Sequence, residues 1–189
     1  MEKKISTRTL ALVGVMAAFV FASNYARIIM PIAIGGRTSF TLANIVCCMS
    51  GLVLGPIGGL ASGLGSALYD LTNPLYAAEC WITFINKGMM GLCAGVVVSG
   101  ALKRDQLTYV RALLGAVAGC VAYYILYFTK SIFYDGMLLE GLTLTVAVGI
   151  LPLKMPSSLF NSSVAIIGAP PLTLAVRAAL KKSGLAATK

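Results

Sequence analysis

The chain has 189 residues, 58% of them hydrophobic and 11% charged, with a net charge of +9 and a mean hydropathy of +0.89. Soluble domains average about 45–50% apolar and about 25% charged residues, so this composition excludes an ordinary water-soluble fold. At about 20 apolar residues per crossing, the length suits six short spans with tight loops and no second domain, so residues 1–189 are expected to form one all-α membrane domain.

The basic excess would suggest nucleic acid in a soluble protein. Here the cations sit at the ends of apolar runs, and no basic stripe lies beside exposed aromatics, which argues against nucleic acid and for the bilayer. Histidine is absent and the five cysteines lack Cys-x-x-Cys spacing, so neither a metal nor a cofactor is expected.

Met1–Thr9 carries Lys3, Lys4 and Arg8 ahead of an apolar run reaching about Met30, too long for a cleaved signal and read as a first span over about 8–30. On it Gly14, Ala18 and Ala22 recur every four residues along one face. Internal packing and a docking face for another membrane subunit both fit that stripe. A second span is expected over about 38–54, between Gly35-Gly36 and Gly55-Pro56. Its Cys47–Cys48 pair reads as lipid- or helix-facing filler.

The third span, about 57–72, stops at Asn73-Pro74, a strong turn signal. Gly51, Gly55, Gly59, Gly63 and Ala67 keep a four-residue interval there and read as packing surface. The fourth span, about 81–102, ends at Lys103-Arg104-Asp105, and the fifth covers about 108–134. Residues 136–154 are apolar but short and contain Glu140; they read as a bent continuation of the fifth helix or a re-entrant piece, with a seventh span as the alternative. The sixth span, about 156–180, is expected to start at Pro156, where a missing N–H costs little, and to kink at Pro170-Pro171.

Six spans put both termini on one side. That side gathers Lys3, Lys4, Arg8, Lys103, Arg104, Arg111, Arg177, Lys181, Lys182 and Lys189, ten of the fifteen basic residues, so the positive-inside rule makes both termini cytoplasmic. Arg27, Arg37, Lys87, Lys130 and Lys154 fall to the other end, with Asp70, Glu79, Asp135 and Glu140.

Ionisable groups inside a span are costly and therefore functional candidates. Lys87 lies about six residues into the fourth span, with Thr83 and Asn86 on neighbouring turns. Snorkelling is its bland reading and a solute-binding lysine its sharper one. Asp70 could end a helix locally or face a solute; Glu79 and Trp81 could anchor the interface or bind a planar molecule. Asn44, Tyr69, Tyr123, Tyr127, Lys130, Ser158 and Asn161 complete a set that points largely to one end and suits a flat polar molecule better than a bare ion. An aromatic belt is the competing reading. No Ser–His or Cys–His pair, phosphate loop or embedded carboxylate pair is present, so neither catalysis nor self-powered proton coupling is expected.

Three elements, Leu54-Gly55-Pro56, Gly63-Leu64-Gly65-Ser66-Ala67-Leu68-Tyr69-Asp70 and Thr83-Phe84-Ile85-Asn86-Lys87-Gly88, carry a family resemblance. The chain resembles the substrate-binding (S) components of energy-coupling factor (ECF) transporters, closest to the riboflavin-type or hydroxymethylpyrimidine/pyridoxine-type branch. Gly14/Ala18/Ala22 is similar to that family's Ala-x-x-x-Ala contact face, and Pro156–Asn161 to its Pro-x-Asn-x-x-Gln segment. The resemblance implies six helices, a solute pocket near the outer face, and docking onto a membrane coupling subunit driven by two cytoplasmic ATPases.

Asn44 departs from the Asp that many relatives carry, and Tyr69–Pro74 from their Ala-Asp-Leu. A Glu79/Lys87 pair suits nearly neutral riboflavin poorly. It points instead to a pyrimidine or pyridoxine vitamer, or to a deazaguanine precursor of queuosine whose amidine-like edge Glu79 could read. A self-sufficient small carrier and a purely structural membrane protein are the other two classes of function that the pattern admits.

Overall fold

The computed structural model describes residues 6–29, 39–74 and 76–184, with the side chains of 27–29, 39, 40, 153, 154 and 157 left aside. Lys3, Lys4, Gly35, Gly36, Arg37 and Lys189 lie outside the described residues, as do the side chains of Arg27 and Lys154. Six α-helices carry the fold: α1 (Thr7–Tyr25), α2 (Ala43–Leu54), α3 (Gly58–Thr72), α4 (Cys80–Lys103), α5 (Tyr109–Thr129) and α6 (Leu144–Lys182). Among the described residues, five stretches are long and apolar enough to cross a membrane, and one of them, Ala43–Thr72, contains both α2 and α3.

That stretch is a hairpin, not one rod. Gly55 adopts φ 73°, a conformation that side chains with a Cβ resist, and Pro56 follows it, so the chain reverses there. The two arms then run antiparallel. Ser50 Oγ donates to Gly58 O at 2.8 Å near the turn, and Ser62 Oγ donates to Cys47 O at 3.0 Å one helical turn further on. Eleven of the twelve residues of α2 are buried, which makes it the central helix. Cys47 and Cys48 face other helices, and Cys48 Sγ lies 3.9 Å from Cys120 Sγ on α5.

Glycines set how closely the other helices approach. A Cβ on Gly59 would lie 2.7 Å from Gly88 O, and one on Gly63 2.8 Å from Phe84 O, so the four-residue stripe of α3 is its contact with α4. Gly65, turned about 200° from Gly63 at 100° per residue, meets α1 at Ala17 and Val20, while Ser66 faces Cys47 of α2 at 3.6 Å. The Gly-Leu-Gly-Ser segment thus packs α3 against three helices at once.

Several expected boundaries move. The first span was expected to run to Met30, but α1 stops at Tyr25 and Arg27–Ile29 (β1) pairs antiparallel with Ser39–Thr41 (β2), in register Arg27↔Thr41. Ile and Thr favour such a ribbon, which shortens the second span of 38–54 to a helix beginning at Ala43. Residues 136–154 divide: Lys130–Leu139 continues α5 with π winding, and the rest heads α6. Pro156 is therefore not a helix start. The break falls earlier, where Gly141 takes φ 64° and Leu142 N donates to Gly136 O at 2.9 Å, a glycine-terminated helix end. Four prolines, Pro152, Pro156, Pro170 and Pro171, sit inside α6, which neighbouring helices make tolerable in a membrane setting.

Both described ends of the chain meet at one end of the bundle. The Arg8 guanidinium donates to Gly184 O, and Asp105 in the α4–α5 turn holds Arg177 (3.0 Å) and Lys181 of α6. The β-ribbon, the α3–α4 loop and the π-wound segment occupy the other end, where the polar residues collect.

Candidate functional site

Lys87 is the centre of that polar end. Its position on α4 turns it toward the first turn of α2 and the body of α5. The ammonium donates to Asn44 Oδ1 and sits 4.4 Å from the centroid of the Tyr123 ring, over its face. Asn44 is buried, and Lys87 is partly so. Asp70, buried at the end of α3, lies within electrostatic reach of the same ammonium. An ammonium carries three donors and no acceptor, so Asn44 and the π face leave donor capacity for something else.

Asn86, one residue earlier, is 7% exposed and follows Ile82 and precedes Met90 and Ala94 on the buried stripe of α4. Its amide has no hydrogen-bond partner among the described residues. Tyr123 stacks on Tyr127 with centroids 5.8 Å apart and planes 24° from parallel. Tyr127 in turn neighbours Ser158 of α6. One flank thus offers cation and amide donors, and the other a stacked aromatic wall. Asn161 lies a turn beyond Ser158 and is half-buried. Thr83 is also half-buried, one turn before Lys87.

Other members of the expected set take different places. Glu79 does not pair with Lys87; its carboxylate binds Lys130 at 2.6 Å. Lys130 also binds Asp135 at 2.9 Å. Residues five apart lie on different faces of an α-helix but adjoin in π winding, so the π segment itself creates the Lys130–Asp135 contact. Tyr69 turns away into an aromatic cluster with Tyr25 (4.9 Å, edge-on) and Phe21 (6.4 Å). Trp81 stands at the rim, 56% exposed, edge-on to Tyr134 at 6.2 Å.

Residues not singled out from the sequence also line this end. The Tyr124 hydroxyl and Ser162 Oγ are buried between α5 and α6 without a hydrogen-bond partner among the described residues. Each directly follows a residue singled out from the sequence, Tyr123 or Asn161, but lies about 100° round its helix, so no same-face spacing pointed to it. On the far side of the bundle, Gly14, Ala18 and Ala22 of α1 are all exposed, and a Cβ added to Gly14 would meet nothing within 4 Å.

Comparison with known proteins gives one family. The sequence profile described as "ECF-type riboflavin transporter, S component" matches residues 4–178. No curated protein sequence matches the chain. Among solved structures, the chain is similar to one described as "Structure and mechanism of the S component of a bacterial ECF transporter", at 14% identity and a TM-score of 0.55, covering 90% of this chain and 98% of the other. That identity speaks to the fold alone.

Proposed function

The chain belongs to the ECF-type riboflavin transporter S component family, a family of transport components of the membrane, and we propose that it captures a flat heteroaromatic solute around Lys87 for uptake driven by partner subunits. S components of these transporters work with a membrane coupling subunit and ATPases, and ATP hydrolysis falls to those partners. In this reading the six helices each traverse the membrane. The end holding Arg8 and Gly184 faces the cytoplasm, as the described Arg8, Lys103, Arg104, Arg111, Arg177, Lys181 and Lys182 gather there. The Lys87 end opens outward from the cell membrane.

The observation that carries the proposal is the Lys87 ammonium at membrane depth, held by an amide and an aromatic face and, among the described residues, by no carboxylate at hydrogen-bond distance. A charge kept in that setting is costly unless a ligand uses it. A ring with a carbonyl or anionic edge would accept from Lys87 and Asn86 and lie against the Tyr123–Tyr127 wall, with Ser158 and Asn161 reaching its far edge. Asn44 holds the ammonium in place with the Asp70 charge nearby, Thr83 borders it, Glu79 and Trp81 shape the rim, and Tyr69 braces α3 behind them.

The ion pair with Lys130 bears on the choice of solute. It engages the carboxylate that a deazaguanine edge would need, and it removes the Glu79/Lys87 pair that argued against riboflavin. An acceptor-edged ring, riboflavin or a pyrimidine or pyridoxine vitamer, fits ahead of a deazaguanine. On the opposite flank, the open Gly14/Ala18/Ala22 stripe suits close docking of the coupling subunit.

The test is thermal stabilisation of the purified chain by riboflavin, hydroxymethylpyrimidine, pyridoxine and a deazaguanine, followed by uptake in cells with and without co-expressed coupling subunits. One ligand is expected to raise the melting temperature well above the rest, with uptake only when the partners are present. No stabilisation by any of the four, or equal uptake by the chain alone, would overturn the reading.

A further inference from the structure

We propose that the groove between α4 and α5, at the end of the bundle holding both described chain ends, binds one anionic phospholipid. The groove has a volume of about 320 Å³ and is lined by Val97, Gly100, Ala101 and Arg104 of α4 and Arg111 and Leu114 of α5. Val97, Gly100/Ala101 and Arg104 follow one another at helical spacing, so they form one stripe about 10 Å long at 1.5 Å per residue. Its upper part is apolar and its lower part cationic. Arg111 and Leu114 repeat that order on the facing helix, so both walls place a guanidinium at the bundle's end and a hydrocarbon surface toward its middle.

Both guanidiniums are exposed, and neither has a hydrogen bond or ion pair among the described residues. The described acid at this end, Asp105, is already held by Arg177 and Lys181. Two unneutralised guanidiniums converging on one groove match a phosphodiester, whose oxygens accept from two forks at once. Arg111 also lies in the first turn of α5, whose N-cap Thr108 makes no side-chain cap, so the helix end adds positive potential.

The apolar half matches an acyl chain. Val97 and Leu114 are 49% and 56% exposed, and a Cβ on Gly100 would meet nothing within 4 Å, which leaves a shallow floor between them. Free phosphate would use the cationic half and leave that floor unfilled. An acidic face of a partner subunit would use the two guanidiniums and leave the apolar floor between Val97 and Leu114 unfilled.

The proposal is tested on the full chain by native mass spectrometry after release from nanodiscs containing equal phosphatidylglycerol and phosphatidylcholine. One phosphatidylglycerol should stay bound in preference to phosphatidylcholine, and R104Q/R111Q should lower its retention by about tenfold, because both guanidiniums are exposed and solvent-screened contacts are each worth less than a buried charge-assisted bond. Gly100→Leu fills the floor at unchanged charge and should also reduce retention. Lys103→Gln removes a neighbouring exposed cation outside the groove and should not. Equal retention of both lipids, an equal loss in Lys103→Gln, or unchanged retention in R104Q/R111Q would overturn the proposal. Release of the lipid by millimolar inorganic phosphate would assign the site to free phosphate instead. The melting temperature of each variant separates loss of the site from loss of the fold.

Discussion

Gly59→Ala tests whether backbone contact between α3 and α4 holds this bundle together. An added Cβ would lie 2.7 Å from Gly88 O, 2.8 Å from Leu92 Cβ and 2.9 Å from Leu92 N, whereas ordinary contacts begin at 3.4 Å. None of these atoms is the loose end of a side chain, so the helices must separate by about half an ångström or more. Overpacking of this kind costs about 1–3 kcal/mol, and three rigid contacts place this site toward the upper end. Alanine returns up to about 1 kcal/mol of helix propensity, leaving a net loss of about 2 kcal/mol. For a chain of this size that lowers the melting temperature by about 4–8 °C. Gly14→Ala is the matched control, because its Cβ meets nothing and only the propensity gain remains. Thermal denaturation in one detergent at one scan rate compares the two. Gly59→Ala melting at or above the wild type would refute the claim that glycines set the helix spacing.

Three further outcomes are expected. Lys87→Met should weaken solute binding by about 10- to 100-fold, the range for losing a charge-assisted hydrogen bond, as read by equilibrium binding to the purified chain; unchanged affinity would remove Lys87 from the site. Gly14→Leu with Ala18→Leu should leave solute binding and melting intact while uptake with co-expressed partners falls, measured by radiolabelled solute accumulation. The Asp105 carboxyl is held below its ordinary 3.8 by the hydrogen bond from Lys181 and that from Arg177, so its stabilising effect is full above that value. The effect fades as pH drops through the lowered value. Asp105→Asn should flatten this acid limb of a melting-temperature profile, and an identical profile would show the clamp to be inert.

The helical class and most helix cores were legible because runs of about 20 apolar residues have few alternatives. α4 matches its expected span to within a residue at each end, since Cys80–Lys103 is bounded by polar loops on both sides. The ribbon at Arg27–Ile29 was not legible, because Ile-rich sequence continues the hydropathy of α1 while satisfying its backbone in another way. Lys87 and Asp70 were singled out from their cost at membrane depth, and Asn44 as one of the polar set. Their partners were not, because Lys87 and Asn44 are 43 residues apart, and Glu79 and Lys130 are 51 apart. The same distance in sequence misassigned Glu79 to Lys87.

Composition and periodicity by themselves determined that this chain is a bundle of apolar helices with its charges sorted to two ends, since desolvation acts on each residue wherever its neighbours lie. Its short glycine and polar motifs also carried the resemblance to ECF S components. Only the tertiary structure decided which cation meets which acceptor, that the π turn brings Lys130 onto Asp135, and that Gly14, Ala18 and Ala22 stay uncovered while Gly59 and Gly63 are spent on packing. Pairing depends on distance and direction across helices, and those are set by how closely small residues let the backbones approach.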